Sequence, residues 1–139
     1  MIKKNVIEKA PDPVGNYPHS VEINGMLYLS GVGPRSPKDN SILGNKYDDN
    51  KNLLDYDIEE QTHAVMHNIK IILEESNSSW NHLIDVTVFL INMKNDFKKF
   101  NAIYNLYFKD SNACRTTIEV NALPTDIAIE LKCISLINK

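Results

Sequence analysis

Apolar residues alternate with polar ones in several stretches of this 139-residue chain, and these stretches predict β-strands. VEINGMLYLSGVGP alternates on either side of Asn24-Gly25, a dipeptide typical of two-residue hairpin turns, and predicts strands at about 20–23 and 26–32. LIDVTVFLINM predicts a third strand, which is covered on both faces near its end. CRTTIEVNALPTDIAIEL, residues 114–131, predicts two further strands joined by a short turn that contains proline.

Two other stretches repeat their apolar residues at helical spacing. Asp57 is a typical N-cap, Glu60 follows three positions later, and the residues after them predict a helix over about 57–76. We expect Asp96 to cap a second helix, over about 96–108, whose aromatic residues form one stripe: Phe97, Phe100, Tyr104 and Tyr107. The element order is ββαβαββ, which predicts an α+β fold with both helices packed on one face of a mixed sheet.

The chain length fits one domain with one core. We therefore expect a single domain over 1–139, in which residues 1–12 are flexible and residues 36–56 form a long loop insert. Residues 36–56 are polar and have no sustained period, and long loops in compact domains are usually functional or mobile. Gly31 and Gly33, in or just after the second predicted strand, indicate either a bulge or close approach of the backbone to another backbone or to a ligand.

Composition disfavours several classes of protein. The formal net charge is -3 and the lysines are scattered among acids, so nucleic acid is an unfavoured partner. No apolar run approaches the ~20 residues of a membrane span, and the N-terminus lacks the apolar core of a secretory signal. We expect a cytoplasmic protein without a membrane partner.

The cysteines and histidines offer little metal or redox chemistry. Cys114 and Cys133 match neither a zinc pattern nor a disulfide framework, and we expect both to be small core residues. His63 and His67 are four positions apart on the first helix, a spacing that could hold a metal, but no third ligand accompanies them. We predict no metal site.

The last two predicted strands carry charged side chains at alternate positions. Arg115, Thr117 and Glu119 share one face of their strand, and Glu130 and Lys132 face away from the core on the next strand. Two interpretations are open: the charges form surface pairs worth ~0–1 kcal/mol each, or another subunit covers them and they line a cleft. Because both faces are half apolar and two helices cover only one, the pattern favours oligomerisation.

Several motifs resemble those of one protein family. They are the Gly15 and Tyr17 opening, LYLSGVGP, DIEEQTHAVMHNIKIILE, VTVFLINMKNDFKKFNAIY, and above all CRTTIEVNALP followed by IAIELKCI. From residue 13 onward they cover nearly the whole chain, which resembles the RidA/YjgF family of imine and enamine deaminases. YPH at 17–19, GPR at 33–35, the long insert before Asp57 and the IELK ending are most similar to its 2-aminomuconate deaminase branch.

The resemblance implies a fold, an assembly and a site. The fold is chorismate-mutase-like, and three copies form a homotrimer with clefts between neighbouring subunits. Arg115 grips the substrate carboxylate, Glu130 positions the attacking water or the proton, and Tyr17 lines the pocket. The backbone around Gly31 and the side chain of Asn101 correspond to family positions that contact ligand. No metal or organic cofactor is implied.

The implied activity is hydrolytic deamination of an enamine or imine carboxylic acid, with release of ammonia. Thr117 stands where the main branch commonly has Ser or Cys, and Pro18-His19 replaces its usual Ser-Gln pair. Both departures favour the dicarboxylate 2-aminomuconate over the smaller 2-aminoacrylate. We expect Arg35, aided by His19, to hold the second carboxylate; the other interpretation places Arg35 on the surface at the loop entrance.

Two further expectations concern Glu119 and the class of function. Glu119 shares a face with Arg115, and we expect it to orient the guanidinium rather than to touch substrate. Some relatives in this broad family are described as endoribonucleases or translation inhibitors, but the acidic balance of the chain disfavours RNA. A metabolite-binding protein is the remaining alternative, because a site that grips a carboxylate looks the same whether or not water then attacks.

Overall fold

A computed structural model describes all 139 residues of the chain. Its elements are, in order, β1 (Lys3–Asn5), β2 (Ser20–Ile23), β3 (Met26–Leu29), β4 (Asn45–Tyr47), β5 (Leu53–Tyr56), α1 (Ile58–Glu75), a 3-10 turn (Trp80–His82), β6 (Leu83–Leu90), α2 (Met93–Phe108), β7 (Cys114–Glu119) and β8 (Ile129–Leu136). The predicted order ββαβαββ is present as β2, β3, α1, β6, α2, β7 and β8. Three short strands, β1, β4 and β5, add to it.

Six strands form one mixed sheet in the order β1-β2-β3-β8-β6-β7, and β4 with β5 forms a separate hairpin. Neighbouring strands of the large sheet are antiparallel except β6 and β7, which are parallel because α2 carries the chain back between them. Both helices pack on one face of this sheet, as predicted. The core between the two layers includes Leu131 and Val86 from the sheet and Val65, Ile69 and Phe100 from the helices, all fully buried.

The predicted N-cap is correct for the first helix and wrong for the second. Asp57 caps α1, as predicted, and its side chain accepts hydrogen bonds from the backbone N–H groups of Glu59 and Glu60. The predicted start of α2 at Asp96 is wrong, because Asn92 provides the cap and the helix begins at Met93. Asp96 lies inside the helix, buried, and accepts a hydrogen bond from the Tyr56 hydroxyl at 2.6 Å.

Two segments that were predicted to lack structure are folded. Residues 3–5 of the segment predicted to be flexible form β1, which pairs with β2 through Asn5 and Ser20, and Ile7 beyond it is buried. Residues 36–56 contain the β4–β5 hairpin instead of a continuous loop. These strands are short, and their side chains are mostly exposed, so backbone pairing holds them without the apolar alternation that would reveal them in the sequence.

The two cysteines lie in different surroundings. Cys133 is fully buried in the core, as predicted. The prediction for Cys114 is wrong: it is exposed at the start of the edge strand β7, on the face of the sheet that the helices leave uncovered. Its thiol donates to the Ile84 carbonyl and to Asp85 Oδ1. Neither helix combines the length and apolar character that crossing a membrane requires.

Gln61 joins three parts of the chain through its side-chain amide. This residue of α1 is fully buried; its Nε2 donates to Asn45 Oδ1 at 2.7 Å, and its Oε1 accepts from the Ala128 N–H at 2.9 Å. Asn45 in turn donates to the Asp126 carbonyl at 2.9 Å. The base of the β4–β5 hairpin and the chain entering β8 are therefore both fixed to the same turn of α1.

We expect replacement of Gln61 by Met to lower the free energy of unfolding by about 2 kcal/mol, because the buried Ala128 N–H loses its acceptor while the side-chain volume is kept. Urea unfolding at one protein concentration measures this as a lower midpoint at an unchanged slope. Glu60→Met, one position away and exposed, is the control, with an expected change of less than ~0.5 kcal/mol. Equal midpoints for the two variants would contradict a stabilising role for this network.

Candidate active site

Arg115 lies on the edge strand β7 with its side chain under helix α2. It pairs with Val86 of β6, which in turn pairs with Cys133 of β8, and both of these are fully buried on the helix side of the sheet. The guanidinium Nη1 donates to Asn101 Oδ1 at 2.8 Å, and the side chain forms no salt bridge within the chain. Most of its N–H donors therefore remain available to a ligand.

Three aromatic rings of α2 surround this guanidinium. Its Cζ atom lies 4.5 Å from the ring centroid of Tyr104, 5.8 Å from that of Phe100 and 5.9 Å from that of Phe97. A cation within about 6 Å of an aromatic face is attracted by the ring quadrupole. The sequence predicted these residues only as a core stripe. The three aromatic residues are three and four positions apart, and Asn101 is in the same turn as Phe100. This helical spacing was the feature of the sequence that could have indicated a shared contact with one residue of β7.

The expectation that Glu119 orients Arg115 is wrong. Glu119 Oε1 accepts a hydrogen bond from the Met93 N–H at 2.9 Å, at the first residue of α2, where the helix dipole favours a negative charge. The two residues share a face of β7, but they are four positions apart, which is ~13 Å along a strand. Asn101 makes the contact that Glu119 was expected to make.

Two hydroxyl groups on the Arg115 side of the sheet have no hydrogen-bond partner. Thr117, two positions along β7 from Arg115, has a buried Oγ1 atom without one, and so does the hydroxyl of Tyr104. Burial raises the pKa of Tyr104 to about 12, although the charge of Arg115 opposes this shift. The phenol is therefore neutral at physiological pH. Both atoms are available to a polar ligand or to water.

Glu130 lies on the other face of the sheet. It pairs with Phe89, an odd number of positions from the Val86 that pairs with Arg115, so the two side chains point in opposite directions. The carboxylate makes no hydrogen bond within the chain, and burial raises its pKa above the ordinary range of glutamate. One copy of the chain does not bring Arg115 and Glu130 to the same side.

Gly31 makes room for the Glu130 carboxylate. A Cβ atom built on Gly31 would lie 2.7 Å from both Cδ and Oε2 of Glu130, which is closer than real contacts allow. The group that approaches the backbone at Gly31 is therefore a side chain of the same chain, which neither interpretation of this glycine named. A ligand that contacts Glu130 would also lie against the backbone at Gly31.

Four of the predicted site residues line one cavity, between the N-terminal segment, the end of β3 and helix α1: Tyr17, His19, Gly31 and Arg35. Tyr17 is exposed there, and its hydroxyl accepts from the Val14 N–H at 3.2 Å. The cavity does not include Arg115, Asn101 or Thr117. The predicted residues therefore form two groups in one chain, one around Arg115 and one along this cavity. Glu130 lies beside Gly31, at the edge of the cavity group.

His19 has a structural role, and the expectation that it helps to hold a carboxylate is wrong. The residue is buried; its Nδ1 accepts from the Ile7 N–H at 3.0 Å, and its Nε2 lies 2.8 Å from the Pro11 carbonyl. This pairing assigns an acceptor at Nδ1 and a donor at Nε2. Both ring nitrogens thus fix the N-terminal segment, and neither is free for a ligand.

Arg35 extends toward the N-terminal segment at the rim of the cavity, where its guanidinium donates to the Asp12 carbonyl. Its own carbonyl and that of Gly33 accept hydrogen bonds from Asn68 Nδ2, at 2.8 and 3.0 Å. Because Asn68 is buried in α1, these two bonds fix the backbone that carries Arg35. The guanidinium faces no acid, so its charge is uncompensated at this rim.

The chain does not gather metal ligands at either place. No group of three His, Cys, Asp or Glu side chains is arranged to hold a metal ion. His63 instead pairs through Nδ1 with the Tyr107 hydroxyl at 2.8 Å. The chemistry available at the two clusters is therefore that of an unpaired guanidinium, a buried carboxylate and several hydroxyl and amide groups.

Comparisons with known proteins agree with this architecture. The family model described as endoribonuclease L-PSP matches residues 7–137. A RutC family protein from Pyrococcus abyssi is 38% identical over 128 residues, 92% of this chain and 91% of that protein. The chloroplastic Reactive Intermediate Deaminase A of Arabidopsis thaliana is 32% identical over 136 residues, 96% of this chain and 66% of that protein.

A solved structure described as Escherichia coli TdcF with bound serine superposes with a TM-score of 0.81 at 26% identity, covering 98% of this chain and 99% of that chain. The superposed part of this chain includes both helices and the mixed sheet. Since the family model spans almost the entire chain and relatives more than 30% identical cover over nine-tenths of it, the protein belongs to the endoribonuclease L-PSP family, the RidA/YjgF family that its motifs predicted.

Proposed function

We propose that the protein is a hydrolytic deaminase of enamine and imine carboxylic acids. The observation that carries this proposal is the guanidinium of Arg115, which is positioned by Asn101 and three aromatic rings yet has no acidic partner. A planar guanidinium with free edges matches a carboxylate through two parallel hydrogen bonds. The substrate class would therefore be a small acid, anchored by its carboxylate.

The reaction needs a held water and a group that moves protons. In the proposed reaction the enamine tautomerises to an imine, Glu130 accepts a proton from water, and the water oxygen forms a bond to the imine carbon. Glu130 returns this proton to the nitrogen, which gives a carbinolamine. The carbinolamine hydroxyl then loses its proton to Glu130, the amino group gains a proton, and the C–N bond breaks as the C=O bond forms, so that ammonia and a 2-oxo acid are released. Burial raises the pKa of the Glu130 carboxyl, so it binds a proton more strongly than an ordinary glutamate does, which favours its role in accepting a proton from water and returning it.

The site would form between copies of the chain, which we propose to be a homotrimer. Arg115 and Glu130 point to opposite faces of the sheet, so one copy would supply the arginine and its neighbour the glutamate. The face that the helices leave uncovered carries exposed apolar side chains, among them Tyr28, Ile118 and Leu136. Contact with a second copy would bury them and would also protect the open edge of β7.

Two relatives support the substrate class. The Arabidopsis relative is named a reactive intermediate deaminase, and the TdcF structure contains serine, which carries an amino group beside a carboxylate. An enamine or imine acid has the same two groups at adjacent carbons. Both relatives therefore favour a site for small nitrogen-bearing carboxylates.

The finer proposal is a dicarboxylate of the 2-aminomuconate type. It rests on Arg35, a second guanidinium without an acidic partner, at the rim of the cavity that Tyr17 and Gly31 line. Its present acceptor, the Asp12 carbonyl, is neutral, and a substrate carboxylate would be the stronger partner. His19 has no part in this version, since both of its ring nitrogens are occupied.

A second candidate function is cleavage of RNA, because the matched family is described as an endoribonuclease. The net charge of -3 and the absence of clustered basic residues disfavour it, since RNA binding neutralises several phosphates. Incubation of the protein with single-stranded RNA, followed by gel analysis with Arg115→Ala as the comparison, tests this candidate. Cleavage that wild type performs and the variant does not would favour it.

Replacement of Arg115 should reduce ammonia release more than any other single change. We expect Arg115→Ala to lower kcat/KM about a hundredfold and Arg115→Lys about tenfold, because lysine keeps the charge but loses the planar fork. A coupled ammonia assay with 2-aminomuconate and 2-aminoacrylate measures both. Lys98→Ala removes an exposed charge from α2 and should leave the rate unchanged. Absence of ammonia from either substrate with wild-type protein would favour a metabolite-binding protein instead.

Replacement of Arg35 separates the two substrates. Arg35→Ala should raise KM for 2-aminomuconate about tenfold or more while leaving KM for 2-aminoacrylate nearly unchanged, since only the dicarboxylate has a second anion to hold. Lys38→Ala, three positions later and exposed, is the matched control. An equal effect on both substrates would contradict the dicarboxylate proposal and leave the deaminase proposal intact.

The pH profile should report the raised pKa of Glu130. As the pH falls through that pKa the carboxyl becomes protonated and cannot accept a proton from water, so kcat/KM should decline at a higher pH than for an ordinary glutamate. Initial rates of wild type and Glu130→Gln across the acidic and neutral range test this. The variant should lose most activity and also the acidic decline.

Protein stability provides a control for Glu130→Gln. Burial opposes the ionised form in the folded state, so the neutral glutamine should raise the melting temperature at neutral pH. The difference should vanish at acidic pH, where the glutamate is protonated whether the chain is folded or unfolded. An acidic decline in kcat/KM that persists in Glu130→Gln would assign it to another group.

A further inference from the structure

We propose that Tyr104 is a positioning residue, which holds the guanidinium of Arg115 by its ring face in the orientation that binds a carboxylate. The inference deepens the proposed function and rests on it. Of the three rings around Arg115, that of Tyr104 is nearest, with 4.5 Å between Cζ and the ring centroid. The sequence motifs assign Tyr104 no role beyond the core.

A ring face and an acidic partner would hold an arginine in different ways. A carboxylate pairs with the N–H groups at the guanidinium edge, which are the groups that a substrate carboxylate needs. An aromatic ring contacts the flat face of the guanidinium and leaves its edges free. Tyr104 can therefore restrict the side chain without competing with substrate, while Asn101 uses only one N–H donor at Nη1.

The acids on β7 and on the facing part of β6 are engaged elsewhere. Glu119 accepts a hydrogen bond from the Met93 N–H. Asp85 of β6 lies opposite Cys114 of β7 and accepts a hydrogen bond from its thiol. Arg115 thus retains its full charge in a half-buried position, where a ligand carboxylate is attracted more strongly than at an exposed one. The aromatic rings are the groups that make this position tolerable for an unpaired cation.

Packing fixes the ring of Tyr104 in turn. Phe108, one turn later on α2, stacks on it with 4.0 Å between ring centroids and an interplanar angle of 4°. The hydroxyl of Tyr104 has no hydrogen-bond partner, so no polar contact competes with packing in setting the ring plane. The contact with Arg115 is therefore made by the ring and not by the hydroxyl. Tyr107, three positions later on α2, lies against His63 and Trp80 and therefore provides the comparison ring.

The test measures carboxylate binding separately from catalysis. Pyruvate, the 2-oxo acid that hydrolysis of 2-aminoacrylate would release, serves as the probe in titration calorimetry, and KM and kcat are measured with 2-aminoacrylate. Tyr104→Phe keeps the ring face and should bind pyruvate as wild type does. Tyr104→Met fills similar space without a quadrupole and should weaken pyruvate binding and raise KM about tenfold, with a smaller change in kcat. Tyr107→Met removes a ring of α2 that lies against His63 and Trp80 instead of Arg115, and it should change pyruvate binding less than twofold.

Fluorinated phenylalanines at position 104 provide a measurement that does not depend on the fold of the methionine variant. Successive fluorine atoms weaken the ring quadrupole while nearly preserving ring shape, so the dissociation constant of pyruvate should rise with each fluorine. A dissociation constant that is the same across the series would overturn the proposal, as would equal effects of Tyr104→Met and Tyr107→Met. Pyruvate binding without ammonia release by wild-type protein would overturn the proposed deaminase activity and leave the role of Tyr104 in place. Absence of pyruvate binding to the wild type would overturn both.

Discussion

Pairing of β6 with β7 on one side and with β8 on the other determines which side of the sheet each important charge occupies. Because side chains alternate along a strand, the register Val86–Arg115 and Phe89–Glu130 points the guanidinium toward the helices and the carboxylate away from them. Everything else about the two clusters depends on this arrangement. Arg115 reaches the rings of α2 because of it, and Glu130 lies over Gly31 for the same reason. A one-residue shift in either register alone would move one of the two side chains to the other face, so that both charges would lie on the same side of the sheet.

The two arginines differ from the unpaired lysines in burial. The chain has 18 acidic and 15 basic residues, and its three salt bridges all involve lysines. The lysines outside these salt bridges are exposed, whereas Arg115 and Arg35 are half-buried and also lack an acidic partner. Because solvent and salt screen a half-buried charge less than an exposed one, an anion would be attracted more strongly at the two arginines than at these lysines.

Strand alternation and helical spacing in the sequence were sufficient to predict the central ββαβαββ order and the α1 cap at Asp57, and the resemblance of the motifs predicted the family. Alternation and spacing were insufficient wherever two residues suit the same role in the sequence and a contact in the folded chain determines which of them has it. Asn92 and Asp96 are both good caps, but Asn92 accepts from the Asn95 N–H and begins the helix, while Asp96 lies inside it and accepts from the Tyr56 hydroxyl. The role of His19 depends on two backbone groups twelve and eight positions away, which no local pattern shows. The sequence does not show whether Glu119 or Asn101 contacts Arg115. The position of α2 relative to β7 brings Asn101 into contact with it.

The hairpin formed by β4 and β5 is attached at its base and independent at its tip. Asn45 and Gln61 anchor the base, whereas the tip closes on itself through Asp48, whose carboxylate accepts from the N–H groups of Asn50 and Asn52. Gln61 also holds Ala128, two residues before Glu130. The turn can therefore vary in length and sequence among homologues, and can accept grafted loops, without moving the carboxylate. Variation at the base would instead be transmitted directly to the start of β8.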